Sequence, residues 1–246
     1  MGDWRSTGLG SALMFVWALV MVPITVIGIL LAAPVLGPRR AFFTVGPFYG
    51  RAVAWFCRIP FSLEGWERMP TDIREGRQPV IFMSNHESQL DPPYFIAALP
   101  LPAVYIAKQE LKLVPFIGWA CWAAGVIFID RRDRERARRS IDAACQQIRG
   151  GKSVVIFPEG TRTPDGSLLP FKKGGFALAL DAGVPIIPLA IVGSRGILPK
   201  GSVRLRPGRF RILVGDPVTP GDFADKDLLS AEVRGRIEAL LAQGRA

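Results

Sequence analysis

The stretch Val80-Ile81-Phe82-Met83-Ser84-Asn85-His86-Glu87-Ser88-Gln89-Leu90-Asp91-Pro92-Pro93 decides the fold. Its opening apolar run predicts a short buried strand. The run breaks into a polar turn. Asp91 followed by proline predicts a helix start, because a carboxylate can cap free N–H groups and proline tolerates the first helical position. The strand therefore delivers His86 to its C-terminal end, and a helix begins at Asp91. His86 is the only histidine in the chain of 246 residues. A neutral imidazole accepts a proton near neutral pH, since its ordinary pKa is about 6.5. A carboxylate on its other nitrogen fixes the tautomer and stabilises the cation. His86 and Asp91 together would make a general base for a hydroxyl. Plainer roles compete: His86 as a turn residue and Asp91 as a helix cap only.

Working outward, Ile59–Glu64, Ala103–Ala107, Gly125–Ile129, Ser153–Phe157 and Pro185–Val192 also read as strands. Pro92–Leu99, Pro115–Ala124, Arg132–Arg149, Gly174–Asp181 and the tail from Lys226 read as helices. In Arg132–Arg149 the residues Ala137, Ile141, Ala144 and Ile148 form one stripe at helical spacing. Alternating strands and helices predict an α/β domain, residues 59–246, with a mostly parallel mixed sheet flanked by helices. Val203–Val214 reads as a hairpin turning at Pro207–Gly208, which adds antiparallel pairing.

Ligands of open α/β sheets gather beyond the C-terminal ends of strands. Four such ends carry chemistry: Asn85–His86, Lys108, Asp130–Arg131 and Glu159–Gly160–Thr161–Arg162. If these strands are neighbours, a base and three cations face one cleft. Guanidinium groups bind phosphate in bidentate fashion, and Gly160 allows close backbone approach. Glu159 would pair with these cations or bind a substrate hydroxyl. The competing readings are a solvated helix face for Arg131, an ion pair with Asp165 for Arg162, and a pair with Glu110 for Lys108. Phe171–Gly175 opens a helix and could meet further phosphates or simply face solvent.

Residues 1–58 differ in texture. Ser6 to Pro38 contains no charged residue, and its 33 positions exceed the roughly 20 that a membrane-spanning helix needs. The start is not basic, and Ala32–Ala33 runs straight into Pro34, so a cleaved leader is not expected. Pro23 divides the segment into Leu9–Val22 and Ile24–Ala33, either as one kinked spanning helix or as two short helices in one leaflet. Arg39, Arg40, Arg51 and Arg58 alternate with Phe42, Phe43, Phe48, Tyr49, Trp55 and Phe56, a pattern suited to lipid headgroups. A spanning segment with this basic flank would leave the catalytic domain in the cytoplasm.

The net charge of +10 points to an anionic lipid surface or a phosphorylated substrate. No zinc-finger spacing, RNP-like motif or helix-turn-helix signal supports nucleic acid. Three cysteines, Cys57, Cys121 and Cys145, show no paired spacing, which argues for a reducing compartment; Cys57 and Cys121 read as buried. One histidine and no Cys/His cluster argue against a metal site. Ser88 beside His86 invites a serine-hydrolase reading, but there is no GxSxG elbow and no second histidine.

Asn85–Asp91 resembles the NHxxxxD motif of glycerolipid acyltransferases. Gly125–Arg131 resembles their GxxFIDR motif, Phe157–Arg162 matches FPEGTR, Val184–Ala190 resembles VPIIPLA, and Lys108–Leu111 resembles a KxEL segment. All occur in the family's order between Ile59 and Gly193. The chain is similar to the 1-acyl-sn-glycerol-3-phosphate acyltransferases. The resemblance implies that His86, oriented by Asp91, deprotonates the sn-2 hydroxyl of lysophosphatidic acid. That oxygen then attacks an acyl thioester of coenzyme A or acyl carrier protein, with no acyl-enzyme. Arg131, Glu159, Gly160, Thr161 and Arg162, with Lys108, would hold the phosphate. No cofactor is implied beyond the thioester co-substrate. Two rivals stand beside this reading: the same chemistry on another lysolipid, such as a lyso-ornithine lipid, and a non-enzymatic protein binding anionic membranes.

Overall fold

In the computed structural model the described residues are 7–129 and 134–245, without the side chains of residues 134, 136 and 137. In chain order the elements are α1 (Gly8–Leu36), α2 (Pro38–Cys57), β1 (Phe61–Glu64), α3 (Thr71–Arg74), β2 (Ile81–Ser84), α4 (Asp91–Ala98) and β3 (Ala103–Lys108). A 3₁₀ turn, Gln109–Leu113, leads into α5 (Ile117–Ala124) and β4 (Ile127–Ile129). Then come α6 (Arg134–Arg149), β5 (Ser153–Ile156), α7 (Gly174–Ala182), β6 (Ile186–Val192), α8 (Ser194–Ile197), β7 (Phe210–Val214) and α9 (Lys226–Arg245). Most boundaries lie within two residues of the sequence expectation.

The strands form one sheet in the order β1-β7-β6-β2-β5-β3-β4. Every pairing is parallel except β6 with β7. The sheet is therefore mixed and mostly parallel, with helices on both faces. β2 shows why: all four of its residues are buried, and they alternate between two cores. Phe82 joins Tyr94 and Phe95 of α4 on one face. Ile81 and Met83 join Ile148 of α6, Phe176 of α7 and Ile237 of α9 on the other. Burial of each such side chain stabilises the fold by about 1.5–3 kcal/mol. The predicted stripe on α6 faces this second core through Ala144 and Ile148.

The predicted hairpin over Val203–Val214 does not form. Only Phe210–Val214 is a strand, and both of its edges are taken, by β1 on one side and β6 on the other. No edge is left for residues 203–206 to pair with. The antiparallel pairing expected from a hairpin comes instead from β6 meeting β7.

The N-terminal segment is a helical hairpin. α1 is one helix of 29 residues that runs through Pro23 and Pro34, so the two separate short helices considered from the sequence are not seen. A proline removes a single hydrogen bond from a long ladder. Thr7 caps the start by accepting the Gly10 N–H at 3.0 Å. Gly37, with φ of 78°, alone separates α1 from α2 and reverses the chain. The helices run antiparallel. Trp17 stacks on Phe56 at 4.5 Å, Cys57 Sγ approaches the Met14 carbonyl at 3.9 Å, and Gly28 lies against Val45. The hairpin lies along the α/β body. Gly50 sits against Pro93 and Ala97 of α4, where a Cβ would come within 2.6 Å of Ala97 Cβ. Nearer the tip, Ile29, Ala41 and Phe42 cluster with Ala123 and Ala124 of α5. Cys57 and Cys145 are buried, whereas Cys121 is only half-buried, because it lines a cavity under the hairpin.

Candidate active site

The parallel neighbours β2, β5, β3 and β4 align their C-terminal ends along one rim of the sheet. Three of the four predicted strand ends therefore share a rim within the described residues: Asn85–His86 after β2, Glu159–Arg162 after β5, and Lys108 ending β3. Asp130 and Arg131, expected after β4, lie outside the described residues.

The turn from β2 to α4 is built around one carboxylate. Asp91 Oδ2 lies 2.7 Å from His86 Nδ1, and it accepts the backbone N–H groups of Glu87 and Ser88, each at 2.8 Å. Asp91 is fully buried. It does not cap α4 as expected: Leu90 holds the cap position with no side-chain cap bond, and the carboxylate reaches backwards into the turn. Because Asp91 holds Nδ1, the imidazole presents Nε2 outward, and its side chain is 17% exposed. The ring stacks on Phe157 at 4.1 Å, and Phe157 in turn lies on Tyr105 at 6.0 Å. Tyr105 fixes that pile by donating its hydroxyl to the Pro92 carbonyl at 2.9 Å.

Glu159 is turned inward. Its Oε1 accepts the His86 N–H at 2.8 Å and its Oε2 accepts the Leu169 N–H at 2.9 Å. Burial pushes its carboxyl pKa up, while these two N–H bonds and the nearby His86 and Arg234 pull the other way. So Glu159 ties the loop after β5 to the backbone of His86 through both of its oxygens. The Thr163 N–H adds a bond to the His86 carbonyl at 2.8 Å. Asn85 works the same way toward β6. Its side chain accepts the Ile191 N–H at 2.7 Å and donates to the Ile191 carbonyl at 2.9 Å. Ser88 is fully buried, donates to the Leu198 carbonyl at 2.9 Å and accepts the Leu90 N–H at 3.2 Å, so it is a turn residue.

The cations gather on the outer side of the rim. Gly160 has φ of 69°, and a Cβ there would lie 2.8 Å from Lys172 Nζ. The lysine stem occupies the space that the missing side chain leaves, which puts Lys172 over the Glu159–Arg162 loop. Lys200 donates to the Arg162 carbonyl at 2.9 Å and reaches Thr161 Oγ1 at 3.4 Å. Thr161 is exposed and Arg162 half-exposed. Asp165, the alternative partner for Arg162, is engaged by Thr163 and Ser167 instead. Lys108 is exposed at the end of β3. Lys200 and the ring stack under His86 were missed in the sequence. The run Phe171–Gly175 was the only signal for Lys172.

His86 and Phe157 also border a cavity of about 430 Å³. Its walls come from α1 (Val22, Val26, Ile29), α2 (Phe42, Gly46), α4 (Ile96) and α5 (Ala120, Cys121, Ala124), with His86 and Gln89 at one place on its lining. Burial pushes the Cys121 thiol up to about 11, so it stays protonated at neutral pH. A half-buried imidazole on a buried carboxylate, at the strand-end rim of a mostly parallel sheet and beside an apolar chamber, is the arrangement of an α/β protein with a candidate general base.

The Acyltransferase family model matches residues 61–192, more than half of the chain, and the chain belongs to that family. A 1-acyl-sn-glycerol-3-phosphate acyltransferase, BAT2, of Brassica napus chloroplasts is 35% identical over 72% of this chain and 49% of its own. A 1-acyl-sn-glycerol-3-phosphate acyltransferase of Limnanthes alba is 33% identical over 84% of this chain and 69% of its own. The chain thus spans about half to two thirds of the length of such curated relatives. The crystal structure of the 1-acyl-sn-glycerophosphate (LPA) acyltransferase PlsC from Thermotoga maritima shares the fold with a TM-score of 0.82. The two are 24% identical, and the match covers 95% of each chain.

Proposed function

We propose that this protein transfers an acyl group from a thioester to the sn-2 hydroxyl of 1-acyl-sn-glycerol-3-phosphate, forming phosphatidic acid. The observation that carries the reading is the 2.7 Å contact between His86 Nδ1 and Asp91 Oδ2, set on the rim that carries Lys172 and Arg162 and beside the apolar cavity. His86 Nε2 takes the hydroxyl proton as the oxygen attacks the thioester carbonyl. The tetrahedral intermediate collapses by breaking the C–S bond, and the imidazolium returns its proton to the thiolate. Asp91 stabilises the imidazolium. No protein nucleophile is needed. Ser88 is locked in its turn and the Cys121 thiol is protonated, which supports direct transfer.

Arg162, Lys172 and Lys108 bind the phosphate, joined by Arg131 on the family resemblance, while Glu159 positions His86 through its backbone. Gly160 and Thr161 shape that loop. An acyl chain fills the cavity, whose apolar lining and size suit one. The donor is coenzyme A or an acyl carrier protein, and no cofactor takes part. The N-terminal hairpin anchors the protein in one leaflet. One face of it is packed on the catalytic body along its length, and the other carries exposed Leu13, Leu19, Val20, Ile27 and Leu31. The body then lies against the cytoplasmic leaflet, whose anionic lipids attract the basic chain.

The test is a panel of lysolipids and acyl thioesters offered to purified protein, with release of free thiol as readout. Lysophosphatidic acid is expected to be the best acceptor, with thiol release lowered on the order of 10²–10⁴-fold in His86→Ala. Equal use of a lyso-ornithine lipid would remove phosphate recognition from the reading, and thiol release untouched by His86→Ala would remove the base.

A further inference from the structure

We propose that the Gln109–Leu113 turn and α5 form a second membrane-inserting edge, so that the outer wall of the cavity lies in the bilayer. Apart from Val203 and Leu228, every exposed large apolar side chain beyond residue 58 among the described residues falls within ten positions. They are Leu113, Val114, Ile117, Trp119 and Trp122. Leu113 is 83% exposed and Trp122 63%. Scattered apolar residues on a surface need no explanation, but a contiguous patch marks an interaction site.

α5 carries no charged residue on any side. A helix that is apolar all round belongs in a protein core or in lipid. Its two faces have different partners. Ile117, Ala120, Cys121 and Ala124 line the cavity, while Trp119 and Trp122, one turn apart, point the opposite way. The segment is a firm wedge rather than a loose loop. Gly118 donates to the Val114 carbonyl at 2.7 Å, and a Cβ on Gly118 would lie 2.2 Å from the Lys112 carbonyl oxygen.

The occupant is a lipid bilayer, because the patch continues an apolar surface already present. α5 packs against both α1 and α2, and its inner neighbours Ala123 and Ala124 cluster with Ile29 and Phe42 of the hairpin. Tryptophan suits the headgroup boundary, with an apolar body and a polar N–H. Lys112, within the turn, offers a cation to anionic headgroups, and its Nζ is steadied 4.7 Å over the Phe128 ring. The consequence is that a chain can pass from bilayer to cavity beside α5 without crossing water.

The test places an environment-sensitive fluorophore at Trp119→Cys or Trp122→Cys in full-length protein whose three native cysteines are replaced. Vesicles of phosphatidylethanolamine and phosphatidylglycerol with spin-labelled acyl chains are then added. Quenching is expected at both positions, as at a control in α1 (Leu19→Cys), and none at Leu228→Cys on α9. Positions 119 and 122 behaving like 228 would overturn the proposal. So would a label already shielded without vesicles in a manner that depends on protein concentration, which would mean that a second copy covers the face. This arm involves no catalysis and stands apart from the acyltransferase reading. A kinetic arm rests on that reading. Trp119→Ser/Trp122→Ser is expected to raise KM for vesicle-borne lysolipid about tenfold, with kcat on monomeric short-chain substrate unchanged. An equal loss on both substrates would refute it.

Discussion

The polar rim around His86 and the cavity beside it are built on different principles. The rim side is polar and depends on residue identity. Asp91 holds one imidazole nitrogen and two backbone N–H groups, Glu159 holds the His86 backbone, and Asn85 clamps β6. No other side chain offers the same donors and acceptors at those positions. The cavity side is apolar and depends on volume. Residues from α1, α2, α4 and α5 line it mostly with apolar groups, with Thr25 and Tyr49 as the polar exceptions on the hairpin. On the proposed function, chemistry belongs to the polar turn and selectivity to the cavity, and substitutions in the two should differ in kind.

The largest effects are expected on the polar side. His86→Ala and Asp91→Ala should each lower turnover on the order of 10²–10⁴-fold, as loss of a general base does. The two should part in stability. Only Asp91→Ala strands the Glu87 and Ser88 N–H groups, at about 1–3 kcal/mol each, readable in a denaturant titration. Equal stability would mean that the turn does not depend on the carboxylate.

Next comes the apolar side. Ala120→Phe should shorten the preferred acyl chain while leaving short-chain turnover intact. Excluding four methylenes at about 0.8 kcal/mol each predicts a shift of roughly 200-fold in relative kcat/KM. An unchanged chain-length profile would take the acyl chain out of the cavity.

Smaller changes are expected at the cations. Arg162→Ala or Lys172→Ala should raise KM for the phosphate acceptor by about tenfold, the value of one charge-assisted hydrogen bond, with kcat little altered. Loss of kcat instead would move these side chains from binding to chemistry.

The smallest effect tests a region remote from both sides. Glu64 receives Arg211 at 2.7 and 2.9 Å, and these bonds, with that of Ser62, hold its carboxyl at about 2. A carboxyl whose folded pKa lies below its unfolded value stabilises the fold above the unfolded value, about 4.3–4.5. That contribution fades as pH falls toward about 2. The pair is substantially exposed, so Glu64→Gln should change stability at neutral pH by less than about 1 kcal/mol. It should also flatten the acid limb of an unfolding series between these two values.

Much of the polar side could be read from the chain. The run Val80–Met83, the polar break and Asp91–Pro92 gave strand, turn and helix, and the alternation of elements gave a mostly parallel sheet; that the strand ends are neighbours was only a condition there, met by the order of β2, β5 and β3. What escaped had physical causes. The hairpin over Val203–Val214 failed because strand propensity says nothing about whether a partner edge is free. Asp91 looked like a helix cap because a local pattern does not show which way a carboxylate points. Glu159 looked like a partner for cations because N–H groups delivered by residues 86 and 169 are invisible in sequence. The cavity could not be foreseen at all, since positions 22–29, 42–46 and 117–124 meet only after the hairpin folds onto α4 and α5. The Cys121 thiol was placed in a packed core for the same reason.

A purely greasy anchor tolerates any exchange of one aliphatic residue for another. α1 does not have that freedom, because Val22, Val26 and Ile29 of this helix are also part of a chamber wall beside the imidazole. Swapping it for a foreign tether of equal hydrophobicity would keep the protein at the bilayer yet redraw the outline of what fits inside. Attachment and fit are thus inherited together in a single helix.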